Sequence, residues 1–563
     1  MLRLPWKKQK KRVSGTSRHR PTGSLLDELE GRKLTENVEE TIAFMEERLG
    51  PNDDFIVRRF HVMGDVPAVL FYFVHMTDGA QKEIVKSLMS IGNRIDEAPV
   101  RGDRLRELLT NDILFAGDGE IEDKLAGLLE KVLNGCTVVH IEGIAEAFVF
   151  GTRNVDKRSI NQPETEQVIR GPREGFIEML STNVSLIRYR LQSPDLRIRT
   201  MKLGRYTRST IAVCYVDGIV NPSLVEEVMR RLSLIDMDGI LDSGYLEQFI
   251  EDNHYSPFPQ VQLTERPDKA VANLLEGRVI LMVDGSPIAL VVPAVFSQFY
   301  QTSEDYSERF LLVSFIRLAR LLALLFSLVF PSLYVAIISF NPELIPTEFA
   351  VAVAGGRAGV PFPSVVEVLI MEVSMEVLRE ATIRLPQQVG GALSIVGVLV
   401  VGQAAVAAGF VSPITVVVIA LTTIGSFATP AYNAALALRL LRFPLIILAG
   451  MFGLYGVMVG LILIANHMLS LKSFGIPYMT PIVPGNFQGM KDTVIRSPLW
   501  WMRRRPPMLH PGNDARVSKD QVEELERTKQ NTLDPLTAGN ETGGRRDGHS
   551  TANHGDSGGD HSH

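Results

Sequence analysis

Acidic residues recur at helical spacing inside the most apolar half of the chain. The stretch PFPSVVEVLIMEVSMEVLREATIRLP places Glu372, Glu376 and Glu380 at four-residue intervals, and strongly apolar runs lie before and after it. On a helix, these three carboxylates share one stripe with Arg379. Because charges are costly in a helix that crosses lipid, the stripe is expected to face water or protein.

Two interpretations fit this stripe. In the first, an amphipathic helix at residues 363–385 lies flat at the membrane surface with its acids in water. In the second, the stripe repeats around an oligomer and lines a cation path through Glu372, Glu376 and Glu380, as acidic rings do. Composition alone favours the surface helix. In either case Arg379 is expected to pair with Glu376 or Glu372.

Glu367 and Gln403 are further polar residues in this apolar half. Glu367 falls on the apolar side of the helix, away from the other acids. Gln403 lies in the middle of an uncharged run, and a polar group there is expected to face protein or a water-filled ion path because lipid offers it no partner.

Glycines near Gln403 predict close contact between helices. Small residues allow membrane helices to approach one another, so the chain is expected to self-associate through this segment. The glycines concerned are Gly390, Gly391, Gly397 and Gly402.

The sequence shows none of the enzyme motifs in the structural context that their chemistry requires. It contains no phosphate loop, no dinucleotide glycine pattern, no HExxH and no GxSxG elbow between a strand and a helix. The segment Asp236–Asp242 has its glycine at position 4 instead of 6, so it does not fit a calcium loop. We therefore predict no enzyme, no cofactor and no metal site. The net charge of -6 gives no sign of a nucleic-acid binder.

Long uncharged runs predict an α-helical transmembrane domain at residues 306–475. Gly409 and Pro413 mark a tight turn inside it. An even number of spans puts both ends of the chain on one side, and basic residues near both ends predict that this side is cytoplasmic. About four spans are expected, near Leu321–Pro342, Val389–Ala408, Ile414–Thr429 and Phe443–Asn466.

The rest of the chain predicts an α/β or α+β soluble region ahead of the membrane domain. Helical and strand patterns alternate, and Asp284-Gly285 between two apolar runs predicts a β-hairpin. The expected parts are a basic disordered tail at 1–37 that can touch membrane lipid, soluble subdomains at 38–160 and 161–305, a membrane-proximal segment at 476–510 and a disordered tail at 511–563.

Five motifs, in this order, resemble the A-subunit family of bacterial spore germination receptors. The similarity runs from about residue 38 to residue 508. The motifs are RGPREGF, which includes Gly171, Pro172, Arg173, Glu174 and Gly175; ERPD with LLEGRVILMVDGSP; the glutamate stretch; SIVGVLVVGQAAVAAGFVSP; and PAYNAALALRLLRF.

The resemblance implies a multi-pass protein of the spore inner membrane. It implies a homo-oligomer, expected to be a pentamer, that works with a transporter-like B subunit and a lipoprotein C subunit. In such a receptor the B subunit holds the germinant and the A subunit opens a cation path, which gives the second interpretation of the stripe more weight. A paralogue that amplifies germination without sensing nutrients and a secondary transporter are the alternatives, although the four spans show no inverted repeat.

Overall fold

The computed structural model describes most of the 563-residue chain. Leu499–Arg504 and residues 515–517 belong to a small unit of their own, and all the other described residues form one compact unit. The described residues are 21–62, 65–77, 79, 81–90, 104–107, 119–153, 162–383 and 400–517.

The first soluble subdomain is an antiparallel sheet with helices on both faces. The strand order is β1-β2-β4-β5-β3. Helices α1, α2 and α4 cover one face, and α3 covers the other. The elements are α1 (Thr22–Leu29), α2 (Val38–Leu49), β1 (Phe55–Val62), β2 (Val66–Phe73), α3 (Gln81–Ser90), β3 (Gly119–Glu122), α4 (Leu125–Leu133), β4 (Thr137–Ile141) and β5 (Ala147–Phe150).

Helix α1 lies within the range that composition assigned to a disordered tail. Its residues Leu25 and Leu29 are buried in the same apolar cluster as α2 and α4. The basic composition of the N-terminus concealed this short apolar pair, so the tail predicted at 1–37 is too long. Residues 1–20 lie outside the described part of the chain.

The second subdomain repeats the plan, with strand order β6-β7-β9-β10-β8. The antiparallel pair β9 and β10 flanks Gly285, whose φ is +93°, so the predicted hairpin is confirmed. Cys214 is buried in this sheet, and Cys136 of the first subdomain is half-buried; both are free thiols. The elements are α5 (Leu180–Arg190), β6 (Leu196–Leu203), β7 (Ser209–Val216), α6 (Pro222–Ser233), α7 (Ser243–Ile250), β8 (Gln262–Thr264), α8 (Pro267–Glu276), β9 (Val279–Val283) and β10 (Ala289–Val292).

A buried ion pair joins the two subdomains. The guanidinium of Arg188 donates to both carboxylate oxygens of Asp54 at 2.6 Å, and both side chains are almost completely buried. Arg188 also lies 3.9 Å from the ring centre of Phe73. A buried charge that lost its partner would be strongly destabilising, so this pair fixes how the subdomains meet.

The C-terminal half is a bundle of apolar helices. Among the described residues, α9 and α13 are long and apolar enough to cross a membrane. Gly409 has φ +68° and Pro413 begins α12, which confirms the predicted turn. The helices are α9 (Phe310–Phe340), α10 (Thr347–Arg357), α11 (Ser364–Ile383), α12 (Pro413–Phe427) and α13 (Tyr432–Ser470), with a further helical segment at 400–407.

Helix α13 is a helical hairpin and not a single straight span. Its backbone leaves helical geometry at Gly453, where φ is +59° and ψ is -141°. Past this point the chain turns back, since a Cβ added at Gly460 would lie 2.5 Å from Leu445 Cδ1 of the first arm. The span predicted at Phe443–Asn466 is therefore wrong: an uncharged run shows an apolar environment but not where the chain reverses.

After α13 the chain returns to the second subdomain. The hydroxyl of Ser473 donates to the Gln260 carbonyl at 2.7 Å and accepts from the Ala294 amide at 3.0 Å. Tyr478 is fully buried against the Phe258 and Phe299 rings. The segment predicted to be membrane-proximal at 476–510 thus begins inside the soluble core. Strand β11 (Lys472–Ser473) precedes this segment, which contains its hairpin partner β12 (Ile476–Pro477) and helix α14 (Phe487–Met490).

Candidate functional site in the helical bundle

The glutamate helix α11 packs along the other helices of the bundle. Its first residue, Ser364, hydrogen-bonds the hydroxyl of Ser339 near the end of α9 at 2.6 Å. Toward its other end, Arg379 lies 5.3 Å from the ring centre of Phe427, the last residue of α12. These two contacts place α11 lengthwise in the bundle. This packing favours a helix enclosed by protein over the predicted helix that lies flat at the membrane surface.

Glu367, on the apolar side of α11, is fully buried and fully paired. Its carboxylate accepts hydrogen bonds from Arg357 at 3.1 Å, from the Ser412 amide at 2.9 Å and from the Thr415 hydroxyl at 3.0 Å. Ser412 caps α12, so the carboxylate also meets the positive end of that helix. This carboxylate ties α10, α11 and α12 together.

Glu372 is also buried, against α13. Both of its carboxylate oxygens accept from Nη1 of Arg442, at 2.9 and 3.0 Å, and 5% of Glu372 and 2% of Arg442 remain exposed. In this conformation Glu372 presents no charge to water. The sequence does not reveal this pair because Arg442 lies seventy residues away along the chain.

Glu376 and Glu380 are the more exposed carboxylates of the stripe. Glu376 accepts from Arg379 at 2.9 Å, as the helical spacing predicted, and its side chain is 39% exposed. Its other oxygen lies 3.9 Å from Nε of Arg439 on α13. Glu380 is exposed on the next turn of α11. The structure therefore separates the predicted stripe into a buried acid, a half-buried one and an exposed one.

The bundle places positive charge beside these acids. Arg379, Arg439 and Arg442 contact or approach Glu372 and Glu376, so three cations face two anions. Nε and Nη2 of both Arg439 and Arg442 are buried and have no hydrogen-bond partner among the described residues. A buried donor without a partner is costly, so this arrangement stores unfavourable free energy.

The other predicted residues of the bundle take different positions. Gln403 is exposed on the segment 400–407. Gly402 is buried, and a Cβ there would lie 3.3 Å from Cγ1 of Val416 in the same chain. Gly402 thus packs the segment 400–407 against α12. Gly390, Gly391 and Gly397 lie outside the described residues.

A different set of glycines brings the described helices together. A Cβ at Gly450 would meet Val365 at 2.6 Å, and one at Gly453 would meet Phe340 at 3.0 Å. The signal in the sequence is the run GMFGLYGVMVG, where glycines recur at helical spacing through Gly456 and Gly460.

The RGPREGF motif lies in the second subdomain, outside the bundle. Gly171 has φ +141°, and the Pro172 carbonyl accepts from the buried Arg266 of the ERPD motif at 2.9 Å. Glu174 pairs with Arg190 at 2.7 Å. Arg173 is exposed and Gly175 is buried. These contacts hold subdomain 2 together.

Acidic side chains line a cavity where subdomain 2 meets the start of α13. The cavity has a volume of about 250 Å³ and is lined by Glu247, Glu251, Asn433 and Leu440. Burial, together with repulsion from Glu251 and Asp242, raises the pKa of Glu247 to about 7. Within the described part of the chain, no group of three or more His, Cys, Asp or Glu side chains could hold a metal ion.

The raised pKa of Glu247 predicts a pH-dependent stability. The folded state keeps this proton up to about pH 7, whereas the unfolded state loses it near 4.5. Stability should therefore fall as pH rises between these values, by up to about 3 kcal/mol. Glu247→Gln should remove this fall and unfold at a higher temperature than the parent at pH 8, measured on the detergent-solubilised full chain. The exposed Glu226→Gln is the control, and an unchanged pH profile of Glu247→Gln would contradict the prediction.

Comparisons with known proteins cover nearly the whole chain. The sequence model of the family described as Bacillus/Clostridium GerA spore germination protein matches residues 43–508. Spore germination protein KA of Bacillus subtilis (strain 168) is 40% identical over 512 residues, 91% of this chain and 93% of that protein. Spore germination protein GerLA of Bacillus cereus is 38% identical over 490 residues, 86% of this chain and 97% of that protein.

Two further matches include a membrane protein and a solved structure. The uncharacterized membrane protein YfkQ of Bacillus subtilis (strain 168) is 37% identical over 500 residues, 88% of this chain and 95% of that protein. The N-terminal domain of the A subunit of the Bacillus megaterium spore germinant receptor GerK3 is 31% identical, with a TM-score of 0.37. That match covers 47% of this chain and 97% of the solved chain.

Proposed function

The chain belongs to the GerA family of spore germination proteins, whose members include receptor A subunits, and from this we propose that it oligomerises and takes part in nutrient-triggered cation release at the start of germination. The observation that carries the proposal is that the half-buried carboxylate of Glu376 and the exposed Glu380 lie on a helix packed inside an apolar bundle. Such charges are expected where a helix faces a water-filled path. Glu372 is not part of this surface in the present conformation.

We propose a multi-pass arrangement in the spore inner membrane. The start of α9 and the end of α13 both contact subdomain 2: Arg317 of α9 donates to Asp305 at 2.8 Å, and Ser473 after α13 bonds Gln260. The chain thus enters and leaves the bundle beside the same soluble domain, which supports an even number of crossings. Basic residues near both ends favour a cytoplasmic location for this side.

The proposed assembly is a homo-oligomer, as a pentamer, with a transporter-like B subunit and a lipoprotein C subunit. The B subunit would hold the germinant, and this chain would supply the cation path. This assembly is a proposal from family membership. The arrangement of Glu376 and Glu380 supports it because a ring of copies would set these carboxylates around one axis.

The test is cation flux in proteoliposomes that contain the purified chain with its B and C partners. Glu376→Gln with Glu380→Gln should lower the flux of monovalent cations about tenfold, because the local concentration of cations near the path falls. The matched control is Glu83→Gln with Glu226→Gln, which removes two exposed acids from the soluble subdomains. If the first variant forms an intact complex and its flux is unchanged, Glu376 and Glu380 do not have the proposed role in the cation path.

A further inference from the structure

Arg439 and Arg442 leave the same pair of nitrogens unused. In each guanidinium, Nε and Nη2 are buried and have no hydrogen-bond partner within the described part of the chain, and 6% of Arg439 and 2% of Arg442 are exposed. Nε and Nη2 form the side of the guanidinium that binds a carboxylate with two parallel hydrogen bonds. A carboxylate placed there would remove the free-energy cost of burying these donors without a partner.

Glu376 is the carboxylate positioned to reach Arg439. Its Oε1 lies 3.9 Å from Nε of Arg439, too far for a hydrogen bond, while its Oε2 accepts from Arg379 at 2.9 Å. The 39% exposure of its side chain leaves room for it to move. Glu372 cannot take this place because both of its oxygens are held by Arg442.

We propose that Glu376 is an exchangeable counter-ion, paired with Arg379 on its own helix in this conformation and with Arg439 on α13 in a second one. The exchange makes or breaks a tie between α11 and α13. This inference rests on the proposed function, since it names what regulates the cation path that α11 lines.

Each of the two pairings stabilises one arginine and leaves the other without its carboxylate. In the present conformation the buried Arg439 lacks a partner for two of its donors, whereas Arg379 is satisfied and also lies over the Phe427 ring. In the second conformation Arg439 gains a charge-assisted bond and Arg379 loses one. Because one ion pair replaces another, the free energies of the two conformations differ by less than the free energy of a single pair. A ligand-driven shift between α11 and α13 can therefore select either conformation.

The flux experiment uses Arg379→Gln and Arg439→Gln in the full chain with its partner subunits. Each substitution removes one of the two pairings, so each favours the opposite state. Their cation fluxes should move in opposite directions from the parent, about fivefold apart or more. On a Glu376→Gln background this opposition should vanish. The control Arg309→Gln, an exposed cation before α9, should leave flux unchanged.

A stability cycle tests the exchange without relying on conduction. In the detergent-solubilised chain, either arginine can take the carboxylate when the other is gone. The double variant should therefore lower the unfolding midpoint by about 2 °C or more beyond the sum of the single variants. If the parent protein shows no cation flux, the proposed function is wrong. The stability cycle would still test whether Glu376 exchanges between Arg379 and Arg439. Additive midpoints, or flux changes of the same sign, overturn it.

Discussion

Replacing Arg442 with Gln should destabilise the protein more than any substitution of a surface charge. The change leaves the buried Glu372 carboxylate without a cation bonded to it, because Arg442 is the only described residue that donates hydrogen bonds to its two oxygens. Removing one partner of a buried pair typically costs about 3–5 kcal/mol. Thermal unfolding of the detergent-solubilised chain, and its abundance in membranes, should both show the loss.

The reciprocal variant and the double variant separate charge from packing. Glu372→Gln leaves the buried Arg442 without its carboxylate, and Nε and Nη2 of Arg442 already lack partners among the described residues. This variant should therefore lose at least as much stability as Arg442→Gln. Glu372→Gln with Arg442→Gln removes both charges and keeps two amides that can bond each other, so it should recover most of the loss. If both single variants unfold like the parent, the pair has no such role.

An exposed pair of the same chemistry provides the control. Arg59 donates to both oxygens of Glu39 at 2.6 and 3.0 Å, but more than half of each side chain is exposed. Exposed pairs contribute about 0–1 kcal/mol because water screens them. Arg59→Gln should therefore shift the unfolding midpoint far less than Arg442→Gln, although both remove an arginine that binds a glutamate.

The sequence predicted those features that depend only on residues close to one another along the chain. The hairpin at Gly285 and the turn at Gly409 follow from glycines flanked by apolar runs, and both are present with positive φ. The pair of Arg379 with Glu376 follows from helical spacing. The family also followed from short motifs, because each is readable without knowing what it contacts.

Long-range contacts explain what the sequence did not predict. The charge of Glu372 suggested water, yet its environment is set by Arg442 on a helix that periodicity cannot place beside it. Glu367 appeared to be an isolated acid on an apolar face, and its partners come from α10 and α12. Whether a charge is buried depends on such partners, and composition does not show which distant residues will contact it.

Gly453→Ala should disrupt the bundle, although alanine is the better helix former. The glycine has φ +59° and ψ -141°, a conformation closed to residues with a Cβ, and a Cβ there would lie 3.0 Å from Phe340. Backbone strain alone is worth about 1–3 kcal/mol. Adding Phe340→Ala should relieve the contact but not the strain, so the rescue should be partial. Thermal unfolding of the solubilised chain measures both.

The sign of this effect distinguishes a helical hairpin from a straight span. If α13 were one continuous helix, Gly453→Ala would stabilise it by about 0.8–1 kcal/mol through helix propensity. Gly355→Ala in α10 is the matched control, because it lies in a helix with nothing within 4 Å of an added Cβ and should be neutral or stabilising. A Gly453→Ala protein that unfolds at or above the parent's temperature would show that the chain continues through Gly453, and that Phe443–Asn466 is the single span its uncharged sequence suggested.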